Sequence, residues 1–257
     1  MPRLLFRTAL FTLLLCISTA AAAQDDSNPQ PDEQTAAQWV EQLGDAEYRL
    51  RAEASAALMR DNTLDEDKIR GWLLADNDPE RRRRLLAIAE HHIMRALIAS
   101  MLQDLREGDP LPDRGAVGFS YDPLLPDNNP HGPGAGLIVL ATMPGFPGHA
   151  YLQTGDIILA IDGRSTRSAT VTSVRSWVQL EIGRNSEGDT ISLTVYREGE
   201  TFDVQVPCGS ITALNEVYTT TGVGDTSRRD SYQEPLDEAM ARLTQGLPDP
   251  EPLTPAE

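Results

Sequence analysis

The stretch Gly136–Thr166, GLIVLATMPGFPGHAYLQTGDIILAIDGRST, restricts the fold of this chain more than any other. An apolar run, Leu137–Thr142, has the length of a strand. A segment punctuated by Pro and Gly, Met143–Gly148, leads through His149–Leu152 to Gly155-Asp156. A second apolar run, Ile157–Ile161, closes on the turn Asp162-Gly163-Arg164. Apolar residues fill successive positions of both runs rather than alternate ones. Strands buried on both faces are therefore expected.

The order of strand, short Pro/Ala helix and second strand, with Leu152, Gly155, Asp156, Ile158, Ile161 and Gly163 at their spacing, resembles the PDZ family. The resemblance implies a small β-sandwich or partial barrel with two helices over residues 113–209. It implies a binder rather than a catalyst. The segment between Pro147 and Leu152 is about one residue shorter than the family's usual spacing, and Tyr151 stands where glycine is common. The region is expected to end in a hairpin: Ile191–Tyr196 alternates, Arg197-Glu198-Gly199 turns, and Thr201–Val206 alternates again.

A PDZ domain takes up an extended peptide as an added strand at a sheet edge. A free C-terminal carboxylate is held by successive backbone N–H groups of a tight loop. Here that loop resembles Ala116-Val117-Gly118-Phe119, where glycine lets the backbone approach the carboxylate. Arg114 lies just upstream, where the family often has a basic residue. Phe119-Ser120-Tyr121 is the expected receiving strand. The opposite wall is expected to be a helix over Thr170–Ile182, capped by Thr170 or Thr172, with Val171, Val174, Val178 and Ile182 on one stripe. Val174 and Val178, with Val117 and Phe119, then line a pocket for the ligand's last side chain. The same four residues also suit a plain sheet-on-helix core, so a structural packing module stays open. Asp122–Gly134 is a Pro-rich insertion after the receiving strand, able to clamp a ligand or obstruct the groove.

Upstream, residues 36–108 read as helical throughout. Leu50, Ala54, Ala57 and Leu58 form one stripe, and Leu85, Ile88, Ala89 and His92 another. Asp78-Pro79-Glu80 is a helix start, with cap, Pro at the first helical position and an acid in the first turn. Ile93, Leu97, Met101 and Leu105 suggest one further helix. Leu43–Leu58 and Leu73–Ala89 loosely resemble HEAT-type repeats. Two repeats leave an open end, so a HEAT-like bundle packed on the next domain, or capped by other helices, is expected. The fold class is therefore α+β. Residues 24–35 read as a flexible linker. Residues 210–257 read as an acidic, Pro-rich, largely disordered tail, apart from a short helix at Leu236–Leu243.

Residues 1–23 resemble a secretory signal peptide, with Arg3 and Arg7, an apolar stretch and Ala21-Ala22-Ala23 before Gln24. Cys16 raises a lipid-anchor alternative, but Leu15 is the wrong residue before it. An exported protein, periplasmic or extracellular, without membrane insertion after cleavage, is expected. The net charge of −17 disfavours nucleic acid and anionic membranes as partners. Cys208 would be the one cysteine left, expected as a packed thiol.

Enzyme signatures are not found: there is no Gly-x-Ser-x-Gly and no His-Glu-x-x-His. His91-His92 diverge by about 100° on a helix, so neither a metal nor a cofactor is expected. His92 is read as partly buried and His91 as exposed. Asp61–Asp67 reads as an inter-helix turn, and Arg81–Arg84 as surface charge paired with nearby acids. The expected function is that of a non-enzymatic adaptor for protein C-termini or extended peptide segments. The alternative is an accessory subunit delivering substrates to a separate exported protease. Oligomeric state is not legible.

Overall fold

The computed structural model describes residues 35–106, 113–124, 136–166, 174–218 and 226–247. The expected leader, the Asp122–Gly134 insertion beyond Leu124, and Val171 with the caps Thr170 and Thr172 lie outside the described residues.

Four helices come first: α1 (Ala36–Gln42), α2 (Tyr48–Arg60), α3 (Glu66–Ala75) and α4 (Pro79–Leu105). Their starts follow the side-chain chemistry. Thr35 and Gln38 form a capping box on α1, and Asp65 accepts from the Lys68 N–H at the start of α3. Asp78 accepts from the N–H groups of Glu80 at 2.8 Å and Arg81 at 3.3 Å, with Pro79 opening α4 as expected. Leu43, Leu58, Ile69, Leu73, Leu85 and Ile88 close a common core. Burying each contributes roughly 1.5–3 kcal/mol. Asp61 accepts from Thr63 in the turn between α2 and α3, and Arg83 and Arg84 both pair with Glu80 at 2.7 Å.

Helix α4 runs unbroken for 27 residues, where two helices were expected. Its buried stripe continues from Leu85 and Ile88 through Met94, Ile98 and Leu102. The stripe expected at Ile93, Leu97, Met101 and Leu105 is thus one residue out of phase, and Leu105 is exposed. Continuity is the reason: an unbroken helix carries the phase of its first half into its second. By length and hydropathy α4 could cross a membrane. In this fold it is the core helix of the bundle.

The second part is a mixed α/β body. Strands β2 (Phe119–Pro123), β3 (Leu137–Thr142), β4 (Ile157–Ile161), β6 (Thr190–Arg197) and β7 (Glu200–Pro207) pair in that order, antiparallel throughout. Strand β5 (Arg164–Ser165) adds to β4. A separate pair joins β1 (Gly115–Ala116) to β8 (Gly209–Ser210). The hairpin β6–β7 turns through Glu198 and Gly199, both at positive φ, the backbone of a type I′ turn. Ile191, Leu193 and Val195 alternate inward as expected. Strand β3 departs from expectation. It buries Leu137 and Val139 but leaves Leu140 46% exposed. It lies next to the edge strand β2, and only one of its faces meets the core.

The stretch after residue 210 is a further correction. Where a largely disordered tail with one short helix at Leu236–Leu243 was expected, two helices stand, α7 (Ile211–Tyr218) and α8 (Thr226–Thr244), the second containing the expected one. Ala213 and Leu243 are fully buried. Leu243 enters the core of the helical bundle, so α8 covers an end that the first four helices leave open. Residues 248–257 lie outside the described residues.

The two parts share a seam. Helix α5 (Pro147–Tyr151) sends Ala150 into the helical core, and Arg60 of α2 donates to the Ala150 carbonyl while stacking on the Tyr151 ring at 5.2 Å. Ile98 and Leu102 of α4 pack with Ala116, Phe146 and Ala213. Residues Gln34–Glu257 form one compact unit, consistent with this interlocking.

Candidate binding groove

Strand β2 is the last in its sheet. Among the described residues its outer edge pairs with nothing. Facing it is α6 (Val174–Ile182), whose Val174, Val178 and Ile182 are buried. A groove of about 730 Å³ runs between them. Its walls include every expected residue of the loop and receiving strand: Arg114, Ala116, Val117, Gly118, Phe119, Ser120 and Tyr121. Val178 lines it too. Val174 does not. It sits in the main core with Leu137, Val139 and Ile158, as Val178 also does; of the two valines, Val178 borders the groove as well.

The loop at the groove's end has an unusual backbone. Gly118 has φ +80°, and a Cβ added there would lie 2.2 Å from the Phe146 Cβ. Glycine is required here by its conformation and by Phe146 beneath it, whatever the loop holds. The carbonyls of Val117 and Gly118 are engaged, accepting from the N–H groups of Gly148 at 2.7 Å and Met143 at 3.0 Å. Among the described residues, the N–H groups of Val117 and Gly118 donate to no backbone carbonyl outside the regular elements. The peptide planes are thus pinned by their oxygens.

Among the described residues, the charged ones lining the groove are Arg114 and Arg175, with no carboxylate among them, in a chain of net charge −17. Burial pushes the Tyr121 hydroxyl above its ordinary range, and Arg175 draws it partly back. Phe119 and Tyr121 present their rings side by side, with centroids 5.6 Å apart.

Residues 112–195 match the PDZ domain family. The match covers the loop, the receiving strand and α6, and it leaves out the helical part. Among solved structures, the HtrA-type protease AlgW with decapeptide is 26% identical, with 44% of this chain and 34% of that chain covered and a TM-score of 0.32. AlgW with tripeptide is 25% identical, covering 44% and 37%, with a TM-score of 0.31. The serine endoprotease from Yersinia pestis is 18% identical, covering 44% and 35%, with a TM-score of 0.29. The aligned region spans about a third of the length of these structures. No curated protein matches the chain.

In the PDZ domain, the Gly155-Asp156 segment is a structural joint. Gly155 has φ +95°. Asp156, 1% exposed, accepts from Arg197 Nε and a terminal guanidinium nitrogen, each at 2.7 Å, and from the Gln153 N–H at 2.8 Å. This two-pronged pairing ties α5's exit to the end of β6. Cys208 is buried, and burial, with Asp189 and Asp162 nearby, pushes its thiol up to about 11. It is a packed thiol, as expected.

Two features escaped the sequence reading. Ile211, Leu214 and Asn215 of α7 also line the groove, as does Gln179 of α6, near Ile182 of the expected helix stripe. The signal for α7 was present: Ser210 as cap and Ile211, Leu214, Val217 and Tyr218 at helical spacing. The second is His91. It was expected to be exposed and is 2% exposed. Its ring stacks on His149 at 5.3 Å, and its Nδ1 accepts from the Gly145 N–H at 3.1 Å. The seam with α5 covers a helix face that is outward in the bundle alone.

Proposed function

We propose that this chain is a peptide-binding protein that captures free C-termini, or extended segments, of other proteins in the groove between β2 and α6. One observation carries the reading: an unpaired sheet edge faces an apolar helix across a gap whose end offers the donors of Val117 and Gly118. A peptide added beside β2 would gain main-chain hydrogen bonds independent of its sequence. Its carboxylate would meet the two N–H groups, with Arg114 adding positive charge. Its last side chain would lie against Val117, Val178 and Ile182. The PDZ match over these residues supports the same use.

We read the chain as a binder rather than an enzyme, acting as an adaptor whose helical part offers a second contact surface, loosely HEAT-like. Export rests on the leader pattern of residues 1–23 and is tested by N-terminal sequencing of the protein recovered from envelope or medium.

The binding test compares labelled peptide libraries that differ only in a free C-terminal acid or amide. Binding of acids and not amides, weakened about fivefold or more by Arg114→Ala, is expected. Equal binding of acids and amides would remove the carboxylate reading.

A further inference from the structure

Helix α7 lies outside the residues that match the PDZ family, yet it forms part of the groove's wall. It is fastened to the loop at both ends. At its start, β8 pairs with β1, setting Gly115 opposite Ser210 and Ala116 opposite Gly209. Ser210 Oγ accepts from the Ala213 N–H at 3.0 Å and donates to Asp113 at 2.6 Å, while the Thr212 N–H donates to the same carboxylate at 2.7 Å. Burial raises the Asp113 carboxyl, but these bonds outweigh burial and hold it below the usual range. At its end, the Tyr218 hydroxyl donates to the Pro144 carbonyl at 2.8 Å, and its ring meets Phe146 edge-on. Phe146 is also the residue beneath Gly118. Helix α7 is thus positioned by the segment that carries the donors of Val117 and Gly118.

With Ala213 fully buried, Ile211 and Leu214 stay half-buried and face the groove beside Ile182. The adjacent charge is Arg114, and among the described residues no acid lines this space. A carboxylate-terminated apolar residue complements both features. We propose that α7 is a third wall of the peptide site, and that Ile211 and Leu214 contact the ligand's C-terminal side chain and select a large apolar one. This rests on the groove reading above. Two walls alone would leave the subsite open at this end, where a short side chain would suffice. The third wall gives a long side chain surface to bury.

The test uses the full chain and fluorescein-labelled octapeptide pools, randomised upstream, ending in Phe, Leu, Val or Ala, each as acid and as amide. Fluorescence polarisation of the wild type is expected to rank the Phe and Leu acids above Val and Ala. Leu214→Trp, which fills the space, is expected to weaken the Phe and Leu pools about tenfold and to change the Ala pool by less than about twofold. Should tryptophan prevent folding, as judged by circular dichroism, Leu214→Ala reports instead, lowering the Phe and Leu pools selectively. A ranking unchanged in the folded variants, or a wild type that favours Ala and Val, overturns the role of α7 and leaves the groove reading standing. A wild type that binds no pool overturns the groove reading and this proposal with it, and one that binds acids and amides alike removes the carboxylate reading and, with it, the C-terminal side chain that α7 is proposed to select.

Discussion

Gly118 is held by two separate constraints, a backbone at φ +80° and the Phe146 side chain 2.2 Å from any added Cβ. Gly118→Ala should therefore cost about 2–5 kcal/mol, the sum of left-handed strain and overpacking, read from urea unfolding. An unchanged midpoint would mean that the loop relaxes freely. Asp156 is a buried charge answered by Arg197. Asp156→Ala leaves the guanidinium facing a half-buried gap and is expected to lose about 3–5 kcal/mol. His91 makes stability depend on pH. Burial lowers it from 6.5 to about 3, with His149, His92 and Arg95 adding repulsion of its charged form. The folded state then binds fewer protons than the unfolded one below pH 6.5. Stability is full above that pH and falls as pH drops toward about 3, by roughly 2 kcal/mol from His91 alone between pH 8 and pH 5. The facing groups are His149 of α5, the Gly145 N–H, and His92 and Arg95 of α4. His91→Gln should flatten that slope in denaturation curves taken at both pH values. A slope unchanged by the variant would place the titration elsewhere.

Among the elements, caps and turns were readable because their causes are local. Asp78-Pro79 started α4 where its chemistry dictates, and Glu198-Gly199 turned the β6–β7 hairpin. Helix α7 was not read as a helix although Ser210 caps it and Ile211, Leu214, Val217 and Tyr218 keep helical spacing, because a helix of eight residues is marginal without a packing partner. Ser210→Ala should lower stability by about 1 kcal/mol, since it removes the bond to the Ala213 N–H and the donor to Asp113. A melting temperature unchanged within error would show that α7 does not depend on its cap. The burial of α4 also followed continuity rather than local spacing: Met94, Ile98 and Leu102 face inward because Leu85 and Ile88 do.

At the scale of the molecule, the helical part and the PDZ domain share buried contacts along α4 and α5, with Ala150 in one core and Ile98 and Leu102 in another. Calorimetry should accordingly give one cooperative transition for the chain, with calorimetric and van't Hoff enthalpies in agreement. Two resolved transitions would mean that the seam is weak. The sequence by itself determined the PDZ core, through the two apolar runs, Gly155-Asp156 and the hairpin, and it named the loop and strand that line the groove. These are signals of short range, set by backbone conformation and alternating burial. Only the tertiary structure decided that Val178 borders the groove as well as the core while Val174 lies in the core, that His91 is covered by α5, and that α7 and α8 complete walls begun far upstream. Those outcomes depend on which surfaces meet across tens of residues of chain or more, from 54 between His91 and Gly145 to 97 between Asp113 and Ser210, and no local pattern of side chains encodes such a meeting.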